Sequence, residues 1–320
     1  MSVQSRNSNI ELLRIIIMFM VLLLHANFYA FDVPEDYSFK SFLRCLAEAF
    51  TLTPVNIFVL ITGFFGTRFT IRKTMNLIFQ VLFCVIPISL ALAVCGIIDF
   101  DGYFFAVHKY WFINVFIALL VITPLLNAAV EKFTQKEFKT FMISFYILLF
   151  IGSFQWLDRI EVAHGYSIIW FIFLYLLGRY VRLYPPTLSK KQLIAIILIT
   201  CLCKSILIFA FQRFDYVEPF IVIQSVCTLL LFTKFEIKSS AINTIATSAT
   251  MVYLINLHPA VWAFMNKMLW SFYRDYNTMV FLLFTLLLCV GVFVFAIVYD
   301  RIRQFVWKKI ELAFPKKQIK

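Results

Sequence analysis

Residues 12–29 read LLRIIIMFMVLLLHANFY. A run this apolar has nearly the roughly 20 residues needed to cross a bilayer as a helix. Yet it carries Arg14 and His25, both costly in hydrocarbon. Eleven residues of α-helix rise about 16.5 Å and turn about 1100°, roughly 20° past three full turns. The two polar groups therefore share one face. Alone, Arg14 reads as a snorkelling interfacial arginine and His25 as a core histidine bonded to a neighbouring carbonyl. Aligned, they mark the ends of a polar track through a helix bundle.

The rest of the chain agrees with a membrane setting. Its 320 residues are 62% hydrophobic and only 14% charged, with a mean hydropathy of +0.88; a soluble domain averages about a quarter charged. The fold class is all-α, a polytopic membrane helix bundle. Long continuous apolar runs exclude an outer-membrane barrel, whose strands alternate. The seven cysteines sit mostly inside apolar runs without metal-site spacing, and read as small apolar fillers. The first apolar run is too long for a cleavable signal peptide and contains Arg14.

Ten spans can be drawn, near 10–31, 43–66, 75–98, 110–130, 138–157, 166–184, 191–212, 217–234, 241–265 and 278–306. With the N-terminus in the cytoplasm, 21 of the 29 Lys and Arg fall inside and 7 outside, with Lys204 within a span; 11 of the 17 acidic residues fall outside. This is the positive-inside bias, and it explains the net charge of +12 better than nucleic-acid binding does. Both termini are expected in the cytoplasm, the basic stretch 308–320 forming a tail. Residues 1–320 read as a single transmembrane domain, for no loop is long enough to hold a soluble one.

Other polar groups gather at a few places. TPVNIFVLITGFFGTRFTIRK, residues 53–73, holds Asn56 and Thr62-Gly63, then the basic cluster Arg68, Arg72 and Lys73. The cluster reads as positive-inside anchoring or as a seat for a phosphorylated cytosolic donor, since guanidinium forks match phosphate oxygens. In KYWFINVFIALLVITPLLN, residues 109–127, Trp111 and Phe112 are expected in the outer aromatic belt. In SATMVYLINLHPAVW, residues 248–262, His258 precedes Pro259, so the ninth span should kink or unwind there. Lys204 has no obvious local partner, and His108 and His164 have no convincing one. Gln224 and Asn256 are candidate interhelical hydrogen-bonders. Arg44 and Glu48 are spaced as an i,i+4 pair. The sequence holds no serine elbow, HExxH, Walker motif or dinucleotide turn.

Taken in order, these features resemble the acyltransferase-3 family of integral membrane acyltransferases. IELLRIIIMFMVLLLH has the family's Arg, ten residues, His spacing at Arg14 and His25. VNIFVLITGFFGTR is similar to an apolar run that ends in Ser-Gly-Phe, with Thr62 where Ser is usual. Basic residues follow at Arg68, Arg72 and Lys73. WFINVFIALLVITPLLN and IIWFIFLYLLGRYV look like middle spans. VYLINLHP is like a late Tyr-Leu-x-x-His-Pro pattern with one extra residue before His258.

The resemblance implies transfer of an acyl group, most often acetyl, from cytosolic acyl-CoA to a hydroxyl of a cell-surface or exported polysaccharide or glycolipid, by a stand-alone form of the enzyme in the plasma (inner) membrane. Acyl-CoA is a co-substrate, and no tightly bound cofactor or metal is expected. The expected partners are the donor, a polysaccharide or lipid-linked glycan acceptor, and membrane lipids; nucleic acid is not one. Arg14 with Arg68, Arg72 and Lys73 would hold the donor phosphates. His25 would act as general base or carry a covalent acyl group. Asn56, Thr62, Trp111 and His258 are candidates for substrate or oxyanion contacts. Two other readings use the same residues: a transporter or flippase for an anionic substrate or glycolipid, and a non-catalytic scaffold. The sequence shows no internal repeat and few helices broken by Gly or Pro, both of which would favour the transporter.

Overall fold

A computed structural model describes residues 7–97, 110–154, 161–212 and 215–313. His108, Lys109 and the end of the basic tail lie outside them. The described residues are helical and contain no strand. Every predicted span holds helix. Six helical segments are long and apolar enough to cross a membrane: Ser8–Tyr29, Phe39–Phe64, Ile71–Val94, Trp111–Val130, Lys190–Phe211 and Thr278–Leu312.

The described residues cluster into two compact units. The first comprises Met1–Thr70 and Trp111–Asn243. Its helices are α1 (Ser8–Leu24), running into a π turn at His25–Tyr29, α2 (Phe39–Thr51), α3 (Pro54–Phe64), then α4 (Trp111–Val130), α5 (Gln135–Gly152), α6 (Ile168–Leu183), α7 (Lys190–Phe211) and α8 (Pro219–Thr233). The predicted second span is thus two helices. Pro54 has no N–H to donate, so it opens a new helix at its first position instead of continuing the old one. Capping boxes at Thr134/Glu137 and Ser189/Gln192 start α5 and α7.

Within this unit α3 packs most closely on α6. A Cβ at Gly63 would overlap the Tyr175 carbonyl, and one at Gly178 the Leu60 carbonyl. Two small residues thus bring the backbones together, as in other membrane helix pairs. The start of α1 is tied down by polar bonds. The Asn9 carboxamide donates to the Phe235 carbonyl and accepts from Ile237 N–H at 2.6 Å, and Ser8 Oγ accepts from Ser239 N–H at 3.1 Å.

The second unit comprises Ile71–Tyr110 and Thr244–Lys320. It contains the helix Ile71–Val94, the short helices Ser240–Ala246 (which begins in the first unit) and Ala249–Asn256, then Pro259–Asp275 and the long Thr278–Ala313. The predicted ninth span is broken twice, and the break at 257–258 falls where Pro259 demands it. Near its basic end, Asp300 accepts from Arg303 Nε at 2.5 Å and from Gln304 Nε2 at 2.6 Å. The predicted tail is in part the last turns of the Thr278–Ala313 helix.

Gly178→Ala drives its new methyl into backbone and is expected to destabilise the protein by about 1–3 kcal/mol. Gly291→Ala, with nothing within 4 Å of the added Cβ, is expected to be neutral. Thermal aggregation of the two variants in detergent checks the difference.

Candidate functional site

His25 occupies the first residue of the π turn that ends the α1 segment. A π turn widens the helix by one residue and recurs at functional sites. His25 is buried, at 7% exposure. Its ring meets Tyr29 edge to face, centroids 5.0 Å apart. Arg14 lies eleven residues back, in the α-helical stretch Ser8–Leu24 that leads into the turn. Its side chain is 35% exposed and pairs with Glu11 at 3.3 Å.

The turn is gripped from α2. Asn27 Nδ2 donates to Glu48 Oε2 at 2.9 Å and to the Arg44 carbonyl at 3.0 Å. Arg44 Nε donates to Asn27 Oδ1 at 3.2 Å, and Arg44 Nη2 to the Asp32 carbonyl at 2.6 Å. Arg44 and Glu48 are therefore joined through Asn27. Their four-residue spacing presents both to the same turn. Glu48 is fully buried, and its Oε1 has no hydrogen-bond partner among the described residues.

An aromatic group continues from His25. Tyr29 and Tyr166 place their hydroxyls 3.3 Å apart. Tyr166 packs on Trp111 with centroids 4.4 Å apart and meets Tyr216 edge to face at 5.3 Å. Trp111, expected in an outer belt, thus packs into this group. Asn56 lies beneath it, donating to the Tyr216 carbonyl at 2.8 Å and accepting from Trp170 Nε1 at 3.1 Å. Both ends of its carboxamide are engaged. Thr62 gives its hydroxyl to the Phe58 carbonyl at 3.0 Å.

The connection before α6 holds Glu161, Ala163 and His164 at φ of 51°, 48° and 54°, a costly region for residues with a Cβ. The segment is pinned by a hydrogen bond between His164 Nδ1 and Asp215 Oδ1 and by Tyr216 N–H donating to the His164 carbonyl at 3.3 Å. His164 therefore has a partner that sequence reasoning did not find. So does Lys204, which is paired with Glu218. Each partner is more than ten residues away along the chain, beyond the reach of local spacing.

The basic cluster divides between the units. Arg68 is exposed and belongs to the first, just beyond the left-handed Gly66 against which the Arg179 guanidinium rests. Arg72 and Lys73 are exposed and belong to the second, where Arg72 donates through Nε and Nη2 to Glu311, both at 2.7 Å. His258 also belongs to the second unit. It is fully buried at the helix break, with Nε2 3.2 Å from Ser89 Oγ. Five cysteines are buried and all seven are free, Cys95 being exposed. No cluster among the described residues could hold a metal ion.

A chain with six helical segments of membrane length, the first holding a buried histidine and a half-buried arginine, is a multi-pass membrane protein. A family model described as an acyltransferase domain matches residues 7–301. The chain belongs to the acyltransferase-3 family and is a membrane acyltransferase by that membership. Comparisons with curated proteins and with solved structures return no match.

Asn27→Ala removes one hydrogen bond to the buried Glu48 carboxylate and one to the Arg44 carbonyl, and is expected to cost about 1–3 kcal/mol. Asn27→Asp is expected to cost more, because it sets a second carboxylate beside Glu48. Thermal unfolding in detergent ranks them; equal stability of Asn27→Asp and wild type would refute the clasp.

Proposed function

We propose that this protein moves an acyl group, most simply acetyl, from cytosolic acyl-CoA to a hydroxyl of a cell-surface or exported polysaccharide or glycolipid. The observation that carries the reading is the placement of a buried His25 and a half-buried Arg14 on one helix, within a chain of this family. The proposed topology has ten spans and both termini in the cytoplasm of a cell with the enzyme in its inner membrane. Arg14 then lies toward the cytosol and His25 toward the outer face.

In this mechanism Arg14 and Arg68 attract the donor phosphates, charge-assisted hydrogen bonds being the strong ones. The pantetheine arm follows α1 toward His25. Its imidazole takes the proton of the acceptor hydroxyl as the oxygen attacks the thioester carbonyl. The carbon–sulfur bond breaks, and the proton passes to the leaving coenzyme thiolate. The Asn27 clasp holds the turn, and so the imidazole, in place. Asn56 and Thr62 brace the walls, since their hydrogen bonds are engaged within the fold.

His25→Ala is expected to abolish transfer of radiolabel from acetyl-CoA to glycan in membranes that contain the inserted protein. Label at the wild-type level would refute the assignment. Arg14→Ala is expected to raise the apparent KM for acyl-CoA about tenfold, or about 1.4 kcal/mol, with a smaller effect on the acceptor KM. Initial rates against donor concentration measure it.

A further inference from the structure

The close packing of α3 on α6 has a polar consequence at one end. Gly178 brings the two backbones together, and the next residue is Arg179. Its guanidinium reaches Gly66, where an added Cβ would stand 2.6 Å from Arg179 Nη1. Gly66 has φ of 57°, a conformation that glycine adopts without steric cost. The chain leaves α3 there, and Arg68, two residues on, is exposed. Arg182, three residues beyond Arg179 on α6, is exposed and holds its guanidinium 5.0 Å over the Phe64 ring. Three arginines thus gather round the end of α3, all of them in the first unit.

None of the three makes a hydrogen bond or an ion pair among the described residues. Arg179 Nε is buried and has no acceptor there. One end of the Asn127 carboxamide is also buried without a partner; the other lies 2.9 Å from the Tyr175 hydroxyl, which is 3.1 Å from the Thr67 carbonyl. The acidic residues of the neighbouring segments do not answer these cations. Glu11 pairs with Arg14, Glu137 closes the capping box with Thr134, and Glu131 and Glu236 are exposed and unpaired with them. A basic last turn complements a helix dipole, which accounts for Arg182. It does not account for a buried guanidinium N–H that the fold leaves without an acceptor, an arrangement that costs free energy. Clustered guanidinium groups match the oxygens of phosphate.

We infer that Arg179, with Arg68 and Arg182 beside it, forms a phosphate seat at the end of α3, and that Arg179 is a donor-binding residue. The donor role rests on the acyl-transfer reading, in which the phosphate belongs to cytosolic acyl-CoA. Gly66 leaves room for the first guanidinium, and the Phe64 ring supports the second.

The test uses the full chain, in native membranes for transfer of radiolabel from acetyl-CoA to glycan and in nanodiscs for binding. Arg179→Ala is expected to raise the acetyl-CoA KM at least about tenfold, the scale of one lost charge-assisted hydrogen bond. The rate at saturating acetyl-CoA is expected to stay at the wild-type level. Arg179→Lys is expected to recover part of the loss, since it restores the charge without the fork. Lys132→Ala removes an exposed cation from the connection after α4 and is expected to keep the wild-type KM. Arg182→Gln, at an exposed position, serves if Arg179→Ala does not fold. A wild-type acetyl-CoA KM in these arginine variants, or an equal loss in Lys132→Ala, overturns the inference. Calorimetric titration of the nanodisc-embedded protein with CoA separates the seat from the transfer reading. CoA binding that weakens about tenfold in Arg179→Ala, in a protein that transfers no acetyl, sustains the seat and refutes the transfer reading. Nanodiscs of phosphatidylglycerol against phosphatidylcholine distinguish a lipid headgroup from a soluble phosphate. Thermal stabilisation by phosphatidylglycerol that Arg179→Ala abolishes, with CoA affinity unchanged, assigns the phosphate to lipid and overturns the donor role.

Discussion

A polar side chain among membrane helices has no bulk water to turn to, so the protein must supply its partners. His25 lies under that constraint, and much of the first unit answers to it. The π turn places His25 against Tyr29 and brings Asn27 round to α2. Asn27 in turn needs an acceptor and a donor, which Glu48 and Arg44 provide one helical turn apart. Their positions require α2 to run beside the turn and then stop. Pro54 stops it and starts α3 afresh. Freed from α2, α3 lies close along α6 through Gly63 and Gly178. One buried imidazole is thus linked through Asn27, Glu48, Arg44 and Pro54 to the tightest helix pair of the unit.

The interrupted helices follow a common physical rule. Backbone that leaves the helix at membrane depth must be buried in protein, because its N–H and C=O groups cannot face lipid. Thr53 at the first break is 1% exposed, and His258 at the later break is fully buried. At that later break the Leu254 carbonyl accepts from the Tyr110 hydroxyl at 3.0 Å. Tyr110 and Leu254 belong to the same unit as that break.

The sequence carried the large features because they are set by local composition. Apolar runs placed the helices, and the unwinding at His258-Pro259 was legible from two adjacent residues, whereas the break at Pro54 was not read. The alignment of Arg14 with His25 was likewise legible, for it depends only on helix geometry. What escaped were groups joined across helices. Glu48 read as half of an i,i+4 pair with Arg44, whereas Asn27, only two residues from His25, stands between them. Tyr166, Tyr216 and Asp215 carry no motif and come together only through the fold. Arg68, Arg72 and Lys73 read as one cluster because they lie within six residues, yet the chain passes from one unit to the other between Thr70 and Ile71.

The arginines also differ in how firmly the fold already holds them, and this bears on which would meet a donor phosphate first. Arg72 gives two parallel hydrogen bonds to Glu311, each 2.7 Å long, the fork geometry that makes guanidinium–carboxylate pairs strong. A phosphate at Arg72 must displace or share that carboxylate. Arg14 makes a single contact of 3.3 Å with Glu11, three residues back on the same helix; pairs of this kind are worth only about 0.2–0.5 kcal/mol. A dianionic phosphate outcompetes such a partner readily. Of these two arginines, Arg14 is the one whose partner a proposed donor phosphate would displace more easily, and it lies on α1 with His25. The helix that opened the sequence reading carries the proposed base and also an arginine that only one local ion pair holds in the resting fold.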